Sequence, residues 1–258
     1  MKIVEKALDL LFPRICETCS RPVDRSTGSI CSECLMNMPF LPVDGCCRVC
    51  SRPVEGYRGE YLCDDCSGRD APCFDRAVQS ARFEGEVRRL VLEYKFRDRV
   101  HLAADFAEWI EAAARARLNL AAVDVIVPVP LAFAGRFVRG YSQTELLAHR
   151  LSRSISRRMA CALKRTGSPA RQSTLGERER RKNVVGTFEV VEPALVRGRT
   201  VLVVDDIMTT GATLSECARV LKAAGGAARV WCVAIARSAG QRPERRGGPG
   251  HLPTNGRK

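Results

Sequence analysis

Along the chain, hydrophobic and polar positions divide into three textures. From Ala77 onward the sequence alternates between short apolar runs and longer stretches with helical spacing. The runs at Ala77–Phe83, Val123–Pro130, Phe188–Val191, Val201–Val204 and Val230–Ile235 predict strands. Val201–Val204, apolar at every position, predicts a strand buried on both faces, as in a parallel sheet. Helices are predicted over Val87–Phe96, Leu102–Leu118, Thr144–Arg157 and Leu214–Ala224, the first carrying Tyr94-Lys95-Phe96. Before this region the chain is rich in cysteine and poor in periodicity. After Ser238 it is Gly, Pro, Arg and Asn, with nothing to bury, which predicts a disordered tail. Residues Lys164–Lys182, rich in Arg, Ser and Gly, predict a mobile loop. Met1–Phe12 mixes charge with Ile3, Val4, Leu8, Leu11 and Phe12 and predicts a short amphipathic helix. It lacks the unbroken apolar core and small-residue cleavage site of a secretory signal.

The α/β pattern places particular side chains at the sheet's ligand-binding edge. After Val204 stand two adjacent carboxylates, Asp205 and Asp206, then the turn Thr209-Thr210-Gly211-Ala212-Thr213 and a helix. A carboxylate pair at a strand end can accept hydrogen bonds from the vicinal hydroxyls of a ribose. The N–H groups of the turn, the helix dipole and the Thr hydroxyls can hold a phosphate. Gly211 lets the backbone approach that anion closely. The arrangement suits a sugar with a diol at one end and a 5-phosphate at the other. Two simpler readings compete. The strand could be ordinary core with two solvated Asp at its end. It could also be the Walker-B strand of an ATPase, but that needs a phosphate-binding Lys. In the nearest glycine loop, Gly135 to Ser142, Tyr141 stands at the lysine's place.

The cysteines define a second unit. Cys16-x-x-Cys19 and Cys31-x-x-Cys34 form one set of pairs, Cys47-x-x-Cys50 and Cys63-x-x-Cys66 another. Each CxxC turns two thiolates toward one ion, and two such turns complete a tetrahedral shell. The intervals between the pairs are eleven and twelve residues, so the segment repeats as two zinc ribbons holding two structural Zn2+. A chain whose thiols stay reduced argues against disulfides. Cys46 could ligate in place of Cys47. The repeat favours Cys47, because Cys47-Arg-Val-Cys50-Ser-Arg-Pro53 echoes Cys16-Glu-Thr-Cys19-Ser-Arg-Pro22. Cys73, Cys161, Cys217 and Cys232 are expected to be small buried apolar residues.

Charge sharpens this picture only locally. The 258 residues carry a net +13, and Arg150–Lys182 holds eleven Lys or Arg against Glu177 and Glu179. Such a stretch favours phosphate-rich partners or is a solvated face; charge alone does not choose. No apolar run reaches the ~18 residues of a membrane span.

Taken together, these motifs resemble the ComF family, in its ComFC-type form. The resemblance rests on the doubled CxxC pairs, the Val127-Pro128-Val129-Pro130 strand end and Arg139-Gly140-Tyr141-x-Gln143. It rests further on Arg165, Arg171, Gln172 and Leu175, on Arg181-x-Asn183 and Gly186-x-Phe188, and on the Val201–Leu214 segment, which is similar to the PRPP-binding motif of type I phosphoribosyltransferases. Ser142 stands where the family usually has Asn, which leaves the role of that turn open.

The resemblance implies an α/β, type I phosphoribosyltransferase-like parallel-sheet domain at 74–237. A small double zinc ribbon at 16–70 precedes it, with the N-terminal helix at 1–15 and a basic tail at 238–258. It further implies that Asp205 and Asp206 hold the ribose diol of PRPP, directly or through Mg2+. Thr209, Thr210, Gly211, Ala212 and Thr213 would cradle the 5-phosphate. The turn after Pro130, with Leu131 and Arg139, would take the pyrophosphate, and Arg171 would belong to a cationic hood that stabilises its departure. The metal ligands are Cys16, Cys19, Cys31, Cys34, Cys47, Cys50, Cys63 and Cys66. The implied setting is cytoplasmic handling of single-stranded DNA with the DNA-uptake machinery, without membrane insertion. The alternative is an active phosphoribosyltransferase on a nucleobase or other small acceptor in nucleotide metabolism. The amido-transferring variety is disfavoured, since the chain begins Met-Lys-Ile and not with a catalytic Cys.

Overall fold

The apolar run Val201–Val204 is fully buried and lies in the middle strand of the sheet. The computed structural model describes residues 14–23, 28–54, 61–131, 142–166 and 184–238. In chain order the elements are α1 (Ser32–Met36), α2 (Asp64–Ser67), β1 (Arg76–Arg82), α3 (Gly85–Phe96) and α4 (Leu102–Arg117). There follow β2 (Val125–Pro128), α5 (Gln143–Ser154), β3 (Arg158–Met159), β4 (Leu163–Arg165) and β5 (Phe188–Val190). The chain then closes with β6 (Thr200–Met208), α6 (Ala212–Ala223) and β7 (Arg229–Arg237). Five strands form a sheet in the order β1-β7-β6-β2-β3, every pairing parallel. Strands β4 and β5 pair antiparallel beside it.

Parallel strands need crossovers, and helices supply them on both faces. Leu202 and Val204 of β6 join one core with Val78, Leu90, Phe106, Leu147 and Ile235, which packs α3, α4 and α5 on that face. Val201 and Val203 join a second core with Leu214, Cys217, Leu221, Cys232 and Ala234, under α6. The ribbons divide between the same two cores: Cys16, Ile30 and Met38 belong to the first, and Cys47, Cys50, Cys63 and Cys66 to the second. Main-chain bonds from Leu41 N to Ser80 O and from Ala77 N to Val49 O fasten the ribbon region to the edge strand β1.

Several sequence expectations change. Strand β6 does not stop at Val204 but runs on to Met208, because β7 pairs with it as far as Met208↔Arg237. Helix α6 begins at Ala212, two residues before the expected Leu214, and so includes Thr213. Lys164 and Arg165 are not loop: they pair with Glu189 and Phe188 in the antiparallel ribbon β4–β5. The remainder of the expected loop, 167–182, lies outside the described residues, as do the N-terminal helix before Arg14, the tail after Ser238, Arg139 and Arg171. Cys217 and Cys232 are buried, Cys73 is half-buried, and Cys161 is exposed, contrary to expectation. No described helix is long and apolar enough to cross a membrane.

Candidate functional site

The two carboxylates sit near the carboxyl end of the central strand. Asp205 pairs across the sheet with Ala234, and Asp206 follows on the opposite face. Asp206 is buried, at 8% exposure, whereas Asp205 is partly exposed. Such a buried carboxylate needs a partner. Lys95, one residue from the end of α3, supplies it: its Nζ lies 2.7 Å from Asp206 Oδ2. Asp206 Oδ1 also accepts from the backbone N–H of Ile207 at 2.6 Å. Lys95 is held in place from α5, where Gln143 Nε2 donates to Lys95 O at 3.1 Å while Tyr94 Oη donates to Gln143 O at 2.8 Å.

Asp205 is left as the second charge. Burial, then the neighbouring Asp206, push its carboxyl up to about 7, against the pull of Lys95, the Asp206 N–H and Arg165. Near neutral pH the Asp205 carboxyl therefore readily gains or loses its proton, beside an Asp206 held by Lys95. Arg165, on β4, is itself lowered by burial and stands 5.3 Å over the Phe188 ring.

Beyond Met208 the chain turns through Thr209 and Thr210 into α6. Gly211 is the N-cap at φ 79°, a left-handed conformation that a Cβ disfavours, and an added Cβ would come within 2.6 Å of Met208 Cε. Thr210 Oγ1 accepts from Ala212 N at 3.3 Å. The first N–H groups of the twelve-residue α6 therefore face the same end of the sheet as Asp205 and Asp206. On the other side, Val129 N donates to Val204 O at 2.9 Å and Thr144 Oγ1 to Val129 O at 2.8 Å. These bonds set the turn leading to half-buried Leu131 beside β6. Ser142 caps α5 by accepting from Glu145 N at 3.3 Å, a role that Asn fills equally well. The departure from the family pattern at Ser142 thus conserves the cap.

Sequence reading missed Lys95. The signal was a lysine near the end of a helix whose neighbour Tyr94 is fully buried, but its partner lies more than a hundred residues away.

The eight cysteines converge as two quartets, Cys16, Cys19, Cys31, Cys34 and Cys47, Cys50, Cys63, Cys66, with all Sγ atoms of each quartet within 4.8 Å. Tetrahedral zinc with Zn–S of about 2.3 Å requires S···S separations of roughly 3.8 Å. The Cys19–Cys31 and Cys50–Cys63 pairs lie at 3.7 and 3.6 Å, so the quartets fit the ion.

The repeat extends to individual bonds. Cys31 N donates to Cys16 Sγ and Cys63 N to Cys47 Sγ, at 3.3 and 3.4 Å. Ser20 and Ser51 adopt φ of 58° and 56°. Bridges join Ile15 to Pro22 and Cys46 to Pro53. Cys46 thus occupies the place of Ile15, the residue before the first ligand, and its Sγ contacts Pro42 O at 3.4 Å.

Fold and quartets together define a double zinc ribbon joined to a type I phosphoribosyltransferase-like domain. The family descriptions agree: Double zinc ribbon domain matches residues 7–67 and Phosphoribosyl transferase domain matches residues 146–254. The DNA utilization protein YhgH of Escherichia coli K12 is 31% identical over 229 residues, covering 87% of this chain and 98% of that protein. Competence protein F of Haemophilus influenzae is 27% identical over 217 residues, covering 81% and 91%. The chain belongs to the ComF family. Among solved structures, an adenine phosphoribosyltransferase aligns with a TM-score of 0.34 at 17% identity, over 54% of this chain and 68% of that one.

Proposed function

We propose that this chain binds PRPP with Mg2+ at the turn between β6 and α6, and that it acts on single-stranded DNA in the cytoplasm as a ligand-responsive binding protein. The observation that carries the reading is the unequal acid pair, with Asp206 neutralised by Lys95 and Asp205 poised near 7. Asp206, fixed by its ion pair with Lys95, is suited to accept from a ribose hydroxyl. Asp205 is the group that loses a proton when a cation-bearing ligand arrives, so binding and ionisation are coupled at that carboxyl. Gly211 and the amino end of α6 suit the 5-phosphate. Leu131 and, outside the described residues, Arg139 and Arg171 are assigned to the pyrophosphate end. Asp205 and Asp206 would hold Mg2+, whose positive charge would offset that of the ligand's phosphates, and a donor set of two carboxylate groups is compatible with that oxygen-seeking ion. The zinc ribbons serve as structural supports and as part of the DNA grip, with the basic stretch Arg150–Lys182. The names of the relatives, DNA utilization protein and competence protein, support the DNA-handling part and an association with DNA-uptake machinery.

The test is calorimetric titration of PRPP with Mg2+, followed by incubation with PRPP, Mg2+ and single-stranded DNA while pyrophosphate is assayed. Saturable binding without pyrophosphate release is expected. Absence of PRPP binding overturns the site, and stoichiometric pyrophosphate release replaces the binding reading by an enzymatic one.

A further inference from the structure

A cavity of about 290 Å3 opens at the edge strand, between the second zinc ribbon, the start of β1 and the end of α4. Arg48 of the ribbon, Arg76 at the first position of β1 and Arg117 at the last position of α4 all line it, against one carboxylate, Asp44. Three guanidinium groups around one small space repel one another unless an anion joins them. Part of their hydrogen-bonding capacity is used by the fold. Arg76 Nη1 donates to Arg117 O at 3.0 Å, and Arg117 Nη2 reaches Pro42 O and Cys46 Sγ. Arg117 Nη1 is nevertheless buried without a hydrogen-bond partner among the described residues. Each fork has five N–H donors, more than these bonds consume.

The cavity shares no lining residue with the Asp205–Gly211 region. Arg76 is in register with Trp231 and, through it, with Leu202. It therefore stands two strands across and three residues short of Asp205, roughly 14 Å away by backbone spacing.

We infer that Arg48, Arg76 and Arg117 form a second anion site, separate from the carboxylate edge, that takes a phosphate ester. Guanidinium forks match phosphate oxygens in pairs, and the cavity has room for a phosphate with part of its sugar. The ester has two sources, a backbone phosphate of single-stranded nucleic acid or a free nucleotide. A competing role for the arginines is to offset the thiolates of the neighbouring quartet. The cations that bear on those thiolates include Arg237 and Arg52, acting at Cys50 and, for Arg52, also at Cys63. Arg237 Nη1 also donates to Cys50 O at 2.7 Å.

The experiment uses the full chain with both zinc ions and the paired variants Arg48→Gln/Arg76→Gln and Arg48→Lys/Arg76→Lys. These two side chains belong to exposed residues, so the fold should survive; Arg117 is left in place because it ties α4 to Pro42. Fluorescent dT20 is titrated by anisotropy across a salt series, and dTMP and inorganic phosphate by 31P NMR. The Gln pair should bind dT20 at least tenfold more weakly at low salt. Its slope of log affinity against log salt should fall by about 0.7, the value for the one phosphate contact on a single strand that the site would hold. The Lys pair should keep most of that slope. If dT20 binding holds but dTMP or phosphate binding falls, the site takes free phosphate esters instead.

Wild-type protein that binds none of the three probes overturns the inference. So does a Gln pair that binds all three like wild type, whether or not its zinc content drops. PRPP titration of the same variants should be unchanged, so failure of PRPP to bind wild-type protein would sink the proposed function while leaving this site to stand or fall on its own probes.

Discussion

Asp205→Asn separates the cost of the acid pair from its use. In the folded chain the Asp205 carboxyl is raised from its ordinary 3.8 to about 7, chiefly by burial and secondarily by Asp206. Between those two values the unfolded chain is ionised and the folded chain is not. This group therefore stabilises most below about 4, and its contribution is lost progressively as pH rises to about 7. Each pH unit of that interval is worth about 1.4 kcal/mol, which puts an upper limit near 4 kcal/mol on the full loss. Asp205 is partly exposed, and solvent screening reduces the figure by about half. Asn is neutral in both states and keeps an acceptor for the Asp206 N–H, which Asp205 Oδ1 receives at 2.9 Å.

The variant should therefore be more stable than wild type by about 2 kcal/mol at pH 8, by less than about 1 kcal/mol at pH 5, and by nothing at pH 4. Denaturant unfolding at the three pH values measures this directly. Affinity for PRPP with Mg2+ should move the other way, falling tenfold or more at pH 8, since a charge-assisted hydrogen bond is worth about 1.5–3 kcal/mol. A variant that is less stable than wild type at every pH would show that Asp205 is structural, and the reasoning about the pair would fail.

The remaining predictions concern the supports of the site. Lys95→Met removes the cation that opposes the rise at Asp205. The pH midpoint of PRPP binding should move upward, which calorimetry from pH 6 to 9 reads; an unmoved midpoint would detach Lys95 from the pair. Gly211→Ala forces a side chain into the left-handed conformation at φ 79°. It should cost about 1–2 kcal/mol, or roughly 2–8 °C in a thermal melt, and weaken PRPP binding. Cys47→Ser should halve the metal from two zinc ions per chain, whereas Cys46→Ser should leave it unchanged, because Cys46 takes the place of Ile15 in the repeat. Metal analysis decides between them, and zinc-free protein of either kind should lose folded ribbon structure, since such sites contribute ~10 kcal/mol or more to folding.

What was legible along the chain was whatever depends on near neighbours. Val201–Val204 could be read as a doubly buried strand because every residue in it is apolar, and the cysteine quartets could be read because each CxxC is a local turn. The choice of Cys47 was legible for a similar reason: a repeat carries its register with it, and the bridges Ile15–Pro22 and Cys46–Pro53 reproduce that register in space.

What stayed hidden was set by partners distant in sequence. Asp205 and Asp206 looked like the exposed end of a strand, yet β7 carries the strand on to Met208, with Asp206 buried and Asp205 only partly exposed. That packing changes their chemistry. Two solvated aspartates would both be charged at neutral pH, and neither would respond to a ligand. Packed in this way, one needs Lys95 and the other gains or sheds its proton near 7. Nothing at positions 205 and 206 announces this, because the cause lies in α3 and β7. The motif marks the acid pair, but the packing around it decides how the pair is charged.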